Sequence, residues 1–164
     1  MLLRYELRKG VVKYLSLLIL SVFLFGCAQG RLDVLDNNGQ IVGSCSADFN
    51  FHWYGAQHSV NYILYICAKE HIENGLRVSD NSILVNDYTI PKSPKGNYWN
   101  KNLAKRQFSN DLISEEKLGY ILAHVEYQYW MKLKNAKDKL SQSVINQVEY
   151  DRLVEKAKVE LEGI

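Results

Sequence analysis

From Ile41 to Trp53 the chain alternates: Ile41, Gly43, Cys45, Ala47, Phe49, Phe51 and Trp53 hold odd positions, with Ser44, Ser46, Asp48, Asn50 and His52 between them. Only Val42 interrupts the pattern. A period of two is that of an antiparallel strand with one face on a core and the other in water, so Cys45 is placed inward and His52 outward. After Tyr54-Gly55 the period becomes helical. Val60, Ile63, Leu64, Cys67 and Ile72 share one side of a helix over residues 57–74, which Asn74-Gly75 ends. A strand and the helix after it thus each turn one cysteine inward, which favours docking the helix on the strand's apolar face.

The long strand is the second arm of a hairpin. Leu32 to Leu35 reads as the first arm, and Asp36-Asn37-Asn38-Gly39 supplies residues that tolerate positive φ. Leu76–Ser79 and Ser82–Ile90 read as two further strands, the second rich in β-branched and aromatic residues. Residues 91–97 hold both prolines of the chain and form the expected internal boundary. Beyond it the pattern is helical. A short helix over 98–108 puts Trp99, Leu103 and Ala104 on one side. A longer one starts at Ser114, whose hydroxyl caps exposed N–H groups while Glu115 and Glu116 complement the helix dipole. Leu118, Leu122, Val125, Tyr129, Leu133 and Ala136 form its apolar stripe. The last helix begins at Asn146, with Glu149 closing a capping box, and turns Tyr150, Leu153, Val154, Ala157 and Leu161 inward. A turn near Leu140 to Val144 makes these two helices an antiparallel hairpin. The expected fold is α+β: a small antiparallel sheet with a packed helix over 27–97, then a helical region over 98–164.

The first 26 residues are of another kind. Arg4, Arg8, Lys9 and Lys13 stand against one acid, Glu6, and Tyr14 to Phe25 is a run whose only polar members are Ser16 and Ser21. A basic start, a short apolar run and a small residue before a cut make a secretory signal. The run falls short of the roughly 20 residues of a comfortable membrane span, although an uncleaved anchor over residues 11–26 is a competing reading. Without residues 1–26 the 164-residue chain keeps 138 residues. Its 20 Lys and Arg fall to 16 and its 18 Asp and Glu to 17, so a formal charge of +2 becomes −1. A near-neutral body offers no electrostatic case for nucleic acid.

Leu24-Phe25-Gly26-Cys27 resembles the lipobox of bacterial lipoproteins. The resemblance implies cleavage before Cys27 and a thioether-linked lipid on its sulfur, with further acyl chains of the palmitate class making attachment permanent. Ala28 after the cysteine implies, by the same likeness, the periplasmic leaflet of the outer membrane. Ordinary cleavage near Ala28 is the alternative. An exported chain meets an oxidising compartment, so a Cys45 to Cys67 bridge is the natural proposal, worth ~3 kcal/mol by loop entropy, with two buried thiols as the alternative.

The C-terminal hairpin, through Ala136-Lys137-Asp138-Lys139 and Ile145 to Leu153, is weakly similar to short C-terminal helical modules of bacterial membrane and secreted proteins, which implies an interaction or oligomerisation element. Reaction machinery is thin. His52, His58, His71 and His124 show no metal-site spacing, and no phosphate loop, nucleophile elbow or catalytic carboxylate pair is present. No catalytic residue, cofactor or metal ligand is assigned. The 11 tyrosines and three tryptophans are the remaining clue. Tyr120, His124, Tyr127 and Met131 form a second stripe on the long helix, suited either to the core or to a binding surface that Trp53, Tyr54, Tyr98 and Trp99 could extend. The reading is a lipid-anchored envelope protein that meets an envelope protein or the cell-wall polymer. The alternative is a small envelope hydrolase or metal-dependent enzyme using His52, His58 or Cys67.

Overall fold

The computed structural model describes residues 28–49, 54–94 and 96–164. The signal segment, Cys27, His52 and Trp53 lie outside them. Among the described residues the fold is α+β, a three-stranded antiparallel sheet in the order β2-β1-β3 with four α-helices. Strand β1 spans Ala28–Leu35 and β2 spans Ile41–Phe49. Their register pairs Ala28 with Phe49 and Leu32 with Cys45, and slips by one residue after Val34. The turn between them is built on Asp36, whose Oδ1 accepts from the N–H groups of Asn38 and Gln40 at 2.8 Å each. Gly39 takes φ +82°, a region that only glycine enters freely.

Helix α1, Ala56–Glu73, lies across the inward face of the sheet. Gly30 permits the approach: a Cβ there would stand 2.7 Å from Val60. Sequence and structure part at two places on this side. Ile41 is 64% exposed although the strict alternation puts it on the face of buried Cys45 and Ala47. The register slip is the reason: Gly43 pairs with inward Val34 but Ile41 pairs with Leu35, the next residue of β1, so the extra residue in β2 turns Ile41 to the other face. Secondly, the strand expected over Ser82–Ile90 does not form. Strand β3 is only Arg77–Val78, Asn81–Leu84 is a 3-10 turn, and residues 85–94 and 96–100 are irregular. Asp80 accepts from the N–H of Ser82 at 2.8 Å and Asp87 from that of Thr89 at 2.9 Å, local bonds that compete with a sheet ladder.

The helical region comprises α2 (Lys101–Ser109), α3 (Glu115–Ser141) and α4 (Gln147–Glu162). The expected start at residue 98 moves to 101 because Asn100 is the cap, its Oδ1 accepting from Leu103 N at 2.8 Å. Ser114 and Asn146 cap α3 and α4 as their positions imply. Glu149 does not close the capping box; its carboxylate receives Nε and Nη2 of Arg152 instead. The α3–α4 pair forms the expected hairpin, with Ala136, Ala157 and Leu161 buried.

Helix α3 is shared by two hydrophobic clusters. Tyr120 and Ala123 join Val60, Leu64 and the sheet, while Leu118, Ile121, Leu122 and Val125 join Ala104 and Leu161. Contact between α1 and α3 is closest at Gly119, where a Cβ would stand 2.4 Å from the Gly55 carbonyl oxygen. Buried Ser59 donates to Gly119 O at 2.8 Å, and Glu115 accepts from Gly55 N at 2.8 Å. Lys101 ties the three later helices together through Glu126 (3.0 Å) and Glu162 (3.5 Å).

Candidate binding cleft

Irregular residues 88–93 and 96–100 line, with α3 and α4, an open cleft of about 950 Å³. Its floor is aromatic. Tyr62 of α1, Tyr88 and His124 of α3 converge there, and Tyr98, Trp99 and Tyr129 complete the aromatic lining. The rings are fixed by packing rather than by one dominant contact. Tyr65 stacks on Tyr88 at 4.4 Å between centroids, Tyr88 meets Tyr120 at 5.0 Å, and Tyr62 meets Tyr120 at 5.7 Å. Trp99 Nε1 donates to the Pro91 carbonyl at 2.7 Å, which locks its indole against the proline segment. Tyr98, by contrast, is 90% exposed.

One polar pair sits in the floor. Tyr62 Oη and His124 Nδ1 are 3.1 Å apart. Burial holds the His124 imidazole below its ordinary pKa, so the ring is neutral at pH 7. Burial, with the Tyr65 phenol beside it, raises that of Tyr62. Both groups are therefore uncharged, and the pair is a neutral hydrogen bond whose direction follows the His124 tautomer. Burial foremost, then the Glu116 carboxylate, likewise pushes the Tyr120 phenol well up. At the rim stand Ser93, Asn97, Asn100 and Gln128, hydroxyl and amide groups without charge. The charged side chains in the lining, Lys132 and Glu160, are bonded to each other. That pairing holds the Glu160 carboxyl below the usual range. The cleft therefore combines aromatic faces with neutral hydrogen-bonding groups and little net charge.

The expected site residues divide between this cleft and other places. Trp99 and Tyr98 line it. Tyr120 does not: it is 4% exposed and belongs to the core, because α1 and Tyr88 cover this end of the second stripe, whose far end, Met131, is exposed. Tyr127 is half-buried outside the lining. Tyr54 is exposed and packs against Phe108 at 5.4 Å between centroids. Cys45 and Cys67 are joined by a disulfide, their Cα atoms 5.9 Å apart. The joined sulfur of Cys67 has no thiolate to offer a hydrolase, and His58 stands half-buried with its ring edge to Tyr120. Sequence reasoning missed Tyr62, Tyr88 and Tyr129 as cleft residues. Their spacing reads as core, and Tyr62 and Tyr88 are in fact core residues, 7% and 6% exposed, that touch the cleft with little surface, whereas Tyr129 is half-buried. It also missed that His71 follows Cys67 by four residues, one helical turn.

Comparison with known protein families, with curated proteins and with solved structures finds no match for this chain. Among the described residues no helix is long and apolar enough to cross a membrane.

Proposed function

We propose that the chain is a lipid-anchored protein of the bacterial cell envelope that holds the cell-wall polymer in its aromatic cleft, a binding role rather than a catalytic one. The observation that carries this reading is the make-up of the cleft. Sugar rings present apolar C–H faces that pack on Tyr and Trp, and their hydroxyl and acetamido groups bond to amides such as that of exposed Gln128. A lining whose Lys132 and Glu160 neutralise each other suits a ligand without strong charge. The volume is near the upper end of the roughly 300–1,000 Å³ usual for small-ligand sites, and the cleft is open, which suits a segment of a longer chain.

The anchor reading draws support from the strand that follows it. Strand β1 begins at Ala28, one residue after Cys27, so acyl chains on Cys27 would hold the end of the sheet at the bilayer without an intervening linker. The joined Cys45 and Cys67 fit an oxidising compartment. The periplasmic leaflet of the outer membrane is the address that agrees with Ala28.

Co-sedimentation with purified, insoluble cell-wall polymer tests the binding reading. The parent protein is expected in the pellet, with affinity reduced about threefold to tenfold by Tyr98→Ala and further by adding Gln128→Ala. Sedimentation that neither substitution alters removes the cleft from the interaction. If the polymer is not bound while a crosslinker at position 98 captures an envelope protein, the cleft serves a protein partner and the polymer reading fails. For the anchor, Cys27→Ser is expected to abolish the acyl mass increment and membrane partitioning; retention of both refutes it.

A further inference from the structure

Cys67 and His71 share a face of α1 one turn apart, and β2 delivers Cys45 to the same point from the sheet. Both Sγ atoms and a His71 ring nitrogen lie within 4.8 Å of one another. A structural bridge needs no imidazole beside it. We propose that, once reduced, Cys45, Cys67 and His71 form a site for a thiophilic divalent ion of the zinc class, and that the disulfide is the closed, metal-free state of that site.

The backbone needs little change to pass between the two states. With Zn–S near 2.3 Å and Zn–N near 2.0 Å, tetrahedral ligands stand roughly 3.8 Å apart for two sulfurs and 3.5 Å for sulfur and nitrogen. The sulfurs must therefore separate from bonding distance while the imidazole moves in from no more than 4.8 Å. Side-chain torsions supply shifts of that size with the Cα atoms left near 5.9 Å apart. Cys45 is buried, whereas Cys67 and His71 are half-buried. The ion thus has a closed protein wall on the sheet side and a solvent-facing fourth position for water. Two thiolates and a neutral imidazole balance a divalent charge and satisfy its preference for S and N ligands.

Opening the site consumes a dithiol reductant. Its thiolate attacks Cys67 Sγ, the more accessible sulfur, and the electron pair of the broken S–S bond leaves on Cys45. The reductant's second thiol then displaces Cys67, so the reductant ends as a disulfide and the protein holds two thiols. The divalent ion binds with release of two thiol protons. A disulfide oxidant reverses the exchange and expels the ion.

The test uses the full chain carrying Cys27→Ser, so that its N-terminal sulfur cannot contribute. After reduction, Co²⁺ is expected to bind one per chain with near-ultraviolet thiolate charge transfer and strong visible bands of a tetrahedral ion. Zn²⁺ is expected to displace it and to raise the Tm of the reduced protein, which places the ion on the folded state. The oxidised protein, and the reduced protein with Cys45→Ser and Cys67→Ser added, should give neither signal. Loss of outer-shell partners costs metal sites about 10- to 100-fold in affinity, so loss of a direct ligand in His71→Ala is expected to weaken Zn²⁺ by at least about 100-fold. The proposal fails if His71→Ala binds Zn²⁺ like the parent, if the Co²⁺ bands are absent, or if Zn²⁺ leaves the reduced Tm unchanged. A reduced chain that is unfolded by circular dichroism and is not refolded by Zn²⁺ overturns it as well.

Discussion

Gly119→Ala isolates what holds α1 against α3. On helix propensity alone the substitution should stabilise α3 by about 1 kcal/mol. The packing opposes it. An added Cβ would stand 2.4 Å from the Gly55 carbonyl oxygen, 2.6 Å from His58 Cβ and 3.1 Å from Ser59 N, where ordinary contact begins at 3.4 Å. Two of those neighbours are backbone atoms, pinned by the Ser59 N–H bond to Gly55 O at 2.8 Å, and cannot rotate away. The helices must separate by about 1 Å, an overpacking cost of ~1–3 kcal/mol. The same movement stretches the buried 2.8 Å bond from Ser59 Oγ to Gly119 O, at a further ~1–3 kcal/mol. After the propensity gain the net loss is about 3 kcal/mol, or a fall in Tm of about 10 °C for a chain of this size. Denaturant unfolding should show a lower midpoint with an unchanged slope. Ser59→Ala supplies the internal check. It removes the bond without adding bulk, so it should cost less in the Gly119→Ala background than in the parent. A Gly119→Ala protein as stable as the parent, or strict additivity of the two changes, refutes this account of the contact.

Reduction of the Cys45–Cys67 bridge, or its removal by the paired substitutions Cys45→Ser and Cys67→Ser, reopens a loop spanning 22 positions. The loop-entropy relation gives a loss of about 3 kcal/mol, measured as a lower denaturant midpoint; an unchanged midpoint contradicts it. Burial lowers the His124 pKa in the folded state, so the unfolded chain takes up that proton more readily. The His124 contribution is therefore complete above the unfolded value of about 6.5 and is lost as pH falls through that value towards the lower folded one. His124→Phe should flatten the fall in stability between about pH 7 and 5, and an identical slope in parent and variant excludes the assignment. At the chain end, Gly163 has φ +79° and an added Cβ would lie 2.3 Å from Oδ1 of Asn100, the cap of α2. Gly163→Ala should accordingly speed hydrogen exchange at Leu103, whose N–H that oxygen accepts, by about tenfold; unaltered exchange shows that the cap does not depend on the end of α4.

Legibility in the sequence followed the range of the forces involved. Elements fixed by local chemistry were readable: the Asp36–Gly39 turn, the Ser114 and Asn146 caps, and the apolar stripe of α1 from Val60 to Cys67, although Ile72, expected to continue it, is 37% exposed. The Cys45–Cys67 pairing was readable too, because a period-two strand and a period-3.6 helix leave few ways of sharing one face. The segment 82–90 misled because its composition suits a strand while Asp80 and Asp87 offer the backbone nearer partners. Tyr120 misled for the opposite reason. A second aromatic stripe shows that a helix has two covered faces, but only the close approach at Gly119 determines that α1 takes this one.

The cleft was the least legible feature because the same failed strand makes it. Had residues 82–90 joined the sheet as a ladder, Tyr88 could not turn in to stack on Tyr65 and meet Tyr120, as it does at 4.4 and 5.0 Å. The following residues, including Tyr98 and Trp99, would have no irregular path across α3 and α4. The aspartates at 80 and 87 therefore shape the cleft from outside it: by holding the backbone out of the sheet, they leave the rings of Tyr98 and Trp99 in one lining with Tyr129 and Gln128. Such a lining rests on short-range hydrogen bonds and the Trp99–Pro91 contact rather than on a ladder.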